Sequence, residues 1–228
     1  MYQYNDDSLM LHNDLYQINM AESYWNDGIH ERIAVFDLYF RKMPFNSGYA
    51  VFNGLKRVVN FIENFGFTNE DITYLKSIGY KEDFLNYLKD LKFTGNIKSM
   101  QEGEICFGNE PLLRVEAPLI QAQLIETILL NIINFQTLIA TKASRIRQIA
   151  THDTLMEFGT RRAQEIDAAL WGARAAFIGG FDSTSNVRAG KLFNIPVSGT
   201  HAHALVQTYG DEYIVCLLYT SLMARGRR

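Results

Sequence analysis

Three stretches in the second half of the chain carry residue types that could do chemistry. Glu157-Phe158-Gly159-Thr160-Arg161-Arg162 sets two adjacent arginines after a strand-like run and a glycine turn. A guanidinium offers a planar fork of donors that matches phosphate or carboxylate oxygens. The alternative is a solvated arginine pair at a helix start, although the macrodipole disfavours cations there. Gly179-Gly180-Phe181-Asp182-Ser183-Thr184-Ser185-Asn186 places small and hydroxyl residues before a short helix, either as backbone donors for an anion or as a plain helix cap. It lacks the Gly-Lys-Ser/Thr of a Walker loop. Pro196-Val197-Ser198-Gly199-Thr200-His201-Ala202-His203 ends a strand-like run with two histidines. No third ligand has suitable spacing for zinc, so a nucleophilic or acid–base histidine is the better functional reading, beside that of a core or surface histidine. Near the other end, Asn13-Asp14-Leu15-Tyr16-Gln17 offers an aromatic ring among polar groups, with Arg41 and Lys42 downstream. Tyr16 could stack on a flat ring or simply be half-buried packing.

These stretches need a scaffold of alternating elements. The spacing predicts helices over Leu11–Asp27, Val51–Phe65, Asn69–Ser77 and Lys81–Leu91. The first has Asn13 or Asp14 as cap and a stripe of Leu15, Ile18, Met20 and Tyr24. The second turns Val58, Val59, Phe61 and Ile62 inward. Ile33–Phe40 is almost wholly apolar and reads as a strand buried on both faces, and Arg41–Tyr49 as a loop. Turn residues through Phe93–Pro118 suggest a meander of short antiparallel strands. A long helix follows to Ala150, with a break near Thr141. Beyond it a parallel rhythm sets in: strand Thr154–Phe158, helix Gln164–Ile178, short helix Ser185–Phe193, strand Ile195–Ser198. The chemistry-bearing stretches therefore fall at strand C-terminal ends, where α/β barrels build their sites, and they suggest a phosphorylated, anionic substrate.

Composition sets outer limits. The chain has 228 residues, 47% apolar and 21% charged, with net charge −3, which excludes disordered and low-complexity classes and gives no reason to expect nucleic acid. Cys106 and Cys216 cannot form a disulfide framework or a cysteine zinc site. The opening Met-Tyr-Gln-Tyr-Asn-Asp-Asp has no basic or apolar leader, so a reducing cytoplasmic setting is expected. The apolar run 119–140 is interrupted by Gln121, Gln123, Glu126, Asn131, Asn134, Gln136 and Thr137, and reads as a buried helix rather than a membrane span.

The stretches NDLYQINMAESYW, VFDLYFRKMPFNSGYAVFNGL, LLNIINFQTLIATKASRI, EFGTRRAQ, DAALWGARAAFIGGFDSTSNV and PVSGTHAHALVQ resemble, in order, the nicotinate phosphoribosyltransferase family, from about Leu11 to about Val215. The resemblance implies an α/β fold: an N-terminal α+β open-faced sandwich over 1–118, then over 119–215 the first part of an incomplete, irregular α/β barrel of the type II phosphoribosyltransferase kind. It implies an ATP-dependent, ligase-type activity joining nicotinate to phosphoribosyl pyrophosphate (PRPP) in cytoplasmic NAD synthesis. Mg²⁺ would accompany PRPP and ATP, with no protein metal site; nucleic acid and membrane are not expected partners, and full-length members are homodimers. Residue by residue, Tyr16 and Thr200 match positions at the nicotinate ring. His203 matches the histidine phosphorylated by ATP, Arg161 and Arg162 the pair facing anionic substrates, and Ser185 and Asn186 a lining segment of the site. Nicotinamide or quinolinate phosphoribosyltransferase is the alternative activity, and a non-catalytic fragment the alternative class.

Family members are about twice as long, and the phosphate-holding loops of their second half have no counterpart here. The chain is therefore expected to be an N-terminal fragment, inactive alone. Residues 216–228, CLLYTSLMARGRR, match nothing in the family and read as translated transposon-adapter DNA, an artefactual tail that the underlying codons would settle. That tail holds three arginines and no acid, so the remainder is more acidic than the whole.

Overall fold

The computed structural model describes residues 8–225. The expectation about the first seven residues lies outside them, as do the last three residues of the tail. Helix α1 (Leu15–Asn26) leads to strand β1 (Ile33–Leu38), a 3₁₀ turn (Pro44–Asn46) and β2 (Ala50–Val51). Helices α2 (Leu55–Glu63), α3 (Asn69–Ser77) and α4 (Glu82–Asp90) follow, then β3 (Asn96–Ser99), β4 (Ile105–Cys106) and β5 (Leu113–Pro118). The long α5 (Leu119–Ile149) runs on to β6 (Met156–Glu157), a 3₁₀ turn (Thr160–Arg162), α6 (Glu165–Ile178), β7 (Ser183–Thr184) and α7 (Val187–Phe193). Two helices close the chain, α8 (His203–Tyr209) and α9 (Glu212–Arg225).

Local chemistry accounts for several boundaries. Thr68 and Asp71 form a reciprocal capping box at the start of α3, which begins where its sequence pattern predicts. Asp14 holds the N-cap position of α1, but its side chain makes no cap bond. On α1 the inward residues are Gln17, Ile18 and Ala21, while Leu15 and Met20 are exposed. Val58 and Phe61 of α2 are buried as expected; Val59 is not. The core gathers Phe52, Phe61, Phe84, Leu88, Val115 and Ile128, among others, between the sheet and the helices.

The sheet departs from a simple meander. Strands β1, β5 and β3 pair antiparallel with β5 in the centre, whereas β4 leaves them and pairs with β2. Gly103, at φ +92°, makes the turn that sends the chain there, and its N–H donates to the Phe52 carbonyl at 2.8 Å. Strand β1 is an edge strand rather than one buried on both faces: Ile33 is 65% exposed and Val35 55%. An apolar run reports hydrophobicity, not how many neighbours the fold supplies.

Helix α5 is continuous, with no break at Thr141. The Thr141 hydroxyl donates to the Thr137 carbonyl one turn earlier at 2.6 Å, a bond made within the helix that leaves its backbone ladder in place. The same oxygen accepts the Val51 N–H at 2.9 Å, and Thr137 Oγ1 accepts the Asn53 N–H at 3.1 Å. The two threonines thus satisfy backbone donors of β2 and its continuation, which a sheet neighbour would otherwise have to do. Gln121 Oε1 likewise accepts the Thr94 N–H at 2.8 Å. By length and composition α5 could cross a membrane, but 56% of its most apolar stretch is buried within the protein. It serves as the common wall on which α1, α2, α6 and the strands pack.

After α5 the parallel rhythm is present in miniature. Strands β6 and β7 pair in parallel through Met156–Ser183 and Glu157–Thr184. The strand expected over Ile195–Ser198 reduces to a single parallel bridge, Thr184 to Val197. Residues 216–225 continue α9 rather than forming a separate element.

Thr141→Val keeps the volume but leaves the buried Val51 N–H without an acceptor. It should cost about 1–3 kcal/mol in urea unfolding, whereas Thr141→Ser should stay close to the parent; a Thr141→Val chain as stable as the parent contradicts the stitching role.

Candidate active site

The three strand segments 156–157, 183–184 and 197 lie side by side and point the same way. The Thr184 N–H donates to the Pro196 carbonyl and the Ser198 N–H to the Thr184 carbonyl, both at 3.0 Å, while the Ser185 N–H reaches the Glu157 carbonyl at 2.9 Å. The segments that follow therefore leave from one edge. After β6 come Phe158, Gly159, Arg161 and Arg162; after β7, Ser185 and Asn186; after the bridge, Thr200, His201 and His203.

Glu157 organises the first two of these turns. One carboxylate oxygen accepts the Thr184 hydroxyl at 2.7 Å; the other accepts the Gly159 N–H. Thr184 Oγ1 in turn accepts the Asn186 N–H at 3.0 Å, and Asn186 Oδ1 accepts the Ala189 N–H at 3.0 Å, capping α7. The Asn186 side-chain carbonyl is thus engaged in a helix cap. Arg161 and Arg162 stand exposed in the 3₁₀ turn, and among the described residues neither makes an ion pair. Thr200 is exposed in the loop, and His203, also exposed, is the first residue of α8.

The glycine pair upstream of β7 serves packing. A Cβ on Gly179 would lie 2.4 Å from the Ala140 carbonyl oxygen, so α6 closes on α5 only with glycine there. Arg147 clamps the same corner: it donates to the carbonyls of Gly180 (2.7 Å), Ala150 (2.9 Å) and Asp153 (2.8 Å), and to the Asp182 carboxylate (2.5 Å). The Leu155 N–H, then Arg147, holds the Asp182 carboxyl below its usual range.

Tyr16 lies elsewhere. It is 52% exposed on α1, and its hydroxyl accepts from Gln17 Nε2 at 3.0 Å. It borders a cavity of about 420 Å³ with Asp14, Tyr39, Phe40, Glu126 and Asn131, which no residue of the strand-end edge lines. Within one chain, then, Tyr16 is not brought to the arginines.

Two features escape the sequence patterns. Phe158, 37% exposed, stands between Glu157 and the arginine turn, where a ring can stack on a flat ligand; an apolar residue left exposed at a strand end is the signal for it. The second is a buried cluster behind the site. Arg174 of α6 grips Glu102 with two bonds, at 2.9 and 2.5 Å, and the two side chains are only 12% and 15% exposed. The same carboxylate accepts the N–H groups of Gly54 (3.0 Å) and Lys56 (3.2 Å) at the start of α2. Burial, the largest effect, pushes the Glu102 pKa up, but the Arg174 bonds and charge and the two backbone donors outweigh it and hold the carboxyl below its ordinary value of 4.5.

Comparison with known proteins agrees with this architecture. Residues 11–134 match the profile of the nicotinate phosphoribosyltransferase N-terminal domain. The chain is 66% identical over 213 residues to a nicotinate phosphoribosyltransferase of Bacillus subtilis, covering 93% of this chain and 44% of that relative. The crystal structure of human nicotinic acid phosphoribosyltransferase superposes with a TM-score of 0.81 at 39% identity, over 86% of this chain and 40% of that one. A nicotinate-nucleotide pyrophosphorylase structure from Pyrococcus furiosus shares the fold, with a TM-score of 0.74 at 24% identity over 92% of this chain and 46% of that one. The chain spans less than half the length of each.

The lowered pKa of Glu102 makes its contribution pH-dependent. A carboxyl with a folded pKa below its unfolded one stabilises the fold fully at pH well above 4.5, and the contribution fades as pH falls through the folded value. The stability gap between the parent and Glu102→Gln in urea titrations should therefore be widest near neutrality and narrow in acid. A gap that is constant across that range contradicts the assignment.

Proposed function

The chain belongs to the nicotinate phosphoribosyltransferase family, and on that premise we propose that it forms the N-terminal part of an enzyme joining nicotinate to the ribose of PRPP, with ATP hydrolysis coupled, in cytoplasmic NAD synthesis. The observation that supports this reading is the single strand edge from which Arg161, Arg162, Ser185, Thr200 and His203 all depart.

The chemistry suits these groups. The transfer needs a ring nitrogen held against the sugar carbon while negative charge grows on departing pyrophosphate. Arg161 and Arg162 supply fixed positive charge for that anion. Thr200 and Ser185 offer hydroxyls at the same edge, and Asn186 fixes the start of α7 beside them. A neutral imidazole is a phosphoryl acceptor near pH 7. His203 takes the terminal phosphoryl group of ATP through a ring nitrogen as ADP leaves. The phosphohistidine then places about −1.5 to −2 of charge near the arginine pair, by analogy with other phosphorylated side chains, and reorders the edge toward PRPP.

Mg²⁺ belongs to the substrates in this scheme. It would enter with the phosphates of PRPP and ATP, since Mg²⁺ keeps much of its water and binds through substrate phosphates. Tyr16 acts across a homodimer. It lies on a different face from the arginine edge, near the exposed apolar residues of β1, and its ring meets the nicotinate held by a second copy. The phosphate loops of the longer relatives are then needed for turnover, so this chain alone binds but does not turn over.

Calorimetry with pyrophosphate tests the arginine assignment. Replacing both Arg161 and Arg162 by Ala should weaken binding at least about tenfold, or 1.4 kcal/mol. Equal affinity would refute it, and clear formation of nicotinate mononucleotide by the 228-residue chain would refute the expected inactivity.

A further inference from the structure

The turn closes on itself through the Arg162 N–H to the Gly159 carbonyl, and neither arginine side chain makes an ion pair among the described residues, so where the two guanidinium groups point depends on what holds the helix after them. Helix α6 starts at Glu165, directly downstream of the turn that ends at Arg162. Glu165 has φ +76°, a left-handed backbone that a non-glycine residue keeps only when its surroundings impose it. The structure offers one such constraint nearby. Asp167, in the first turn of α6, takes Arg57 Nη2 of α2 at 2.6 Å, and the two side chains are 33% and 19% exposed. The Arg57 guanidinium also lies 5.1 Å over the Trp171 ring one turn along α6. Further on, Arg174 is gripped by Glu102, which itself binds the N-terminus of α2. Helix α6 is thus fastened at two points to the N-terminal unit, and the first point lies beside the strained junction.

We propose that Asp167 is a positioning residue: pinned by Arg57, it holds the Glu165 junction in its left-handed conformation and so fixes where Arg161 and Arg162 point. Asp167 touches no substrate in this scheme. The proposal deepens the reading of the arginine pair as an anion site and rests on it only for its functional consequence.

Sign separates positioning from simple electrostatics. Asp167→Asn removes a negative charge one helical turn beyond the arginine turn in sequence, so Coulomb attraction alone predicts tighter anion binding. Positioning predicts the opposite: pyrophosphate binding at least about threefold weaker, the size of a partly exposed ion pair. Hydrogen exchange on the unliganded chain gives a readout that does not depend on binding. In Asp167→Asn, exchange should rise selectively in residues 158–164, while the Thr184 and Ser185 amides of the strand ladder keep the parent rate. Exchange unchanged in 158–164, or rising equally everywhere, overturns the proposal, as does tighter pyrophosphate binding. If the parent binds no pyrophosphate, the anion-site reading falls and the exchange result alone decides the positioning claim. Should Asp167→Asn fail to fold, Arg57→Lys keeps the charge but loses the planar fork, and the same selective rise is expected at smaller size.

Discussion

The carboxylate of Glu102 receives hydrogen bonds from groups far apart in the chain: the backbone of Gly54 and Lys56, and the guanidinium of Arg174. Each separate tie is ordinary. Together they join the turn before β4, the start of α2 and the middle of α6 around one largely buried charge. Burying an ion pair is costly unless its hydrogen bonds are satisfied, and here both oxygens of the carboxylate are used. The arginine turn, the strand edge and the short helices after it are all attached through α6 or α5. The N-terminal unit therefore does more than precede the strand edge; it fixes the helix that follows the arginine turn.

Helix α5 supplies the second constraint. Its apolar residues build the core, while Thr137, Thr141 and Gln121 pair with backbone donors of the segments that lie against it. These polar residues are what distinguish a wall helix from a membrane helix of the same length, because each has a designated partner inside the protein. At the far end Arg147 binds the carbonyls of the next corner, so α5 determines where β6 and β7 begin.

Much of the candidate site's scaffold was legible because it is local. A β-rich run, a glycine turn and a polar helix start follow each other within a few residues at Glu157–Gln164; at Ser183–Asn186 only the hydroxyl residues before a helix were legible, and the two-residue strand β7 was not. Parallel pairing then aligns their ends without further information. The turns at Gly103 and Gly179 are similarly local; the capping box of α3 is local too but was not singled out from the sequence. What sequence patterns did not reveal depends on distant partners. The exposure of β1 reflects its place at the sheet edge. The continuity of α5 through Thr141 goes with a buried side chain tied to the distant Val51 N–H. The Glu102–Arg174 pair joins residues 72 positions apart, with no spacing to announce it. Nor does spacing say that Tyr16 and the arginines occupy different faces of one chain.

The most direct test of this account is a double-mutant cycle on that pair, with Glu102→Gln, Arg174→Met and the double variant compared in urea unfolding. A pair that binds the N-terminal unit to α6 predicts a coupling of about 1–3 kcal/mol, each single variant being nearly as damaging as both together. Additivity within about 0.5 kcal/mol would mean that the two side chains contribute independently, and that the arginine turn is held by something other than the Glu102 carboxylate.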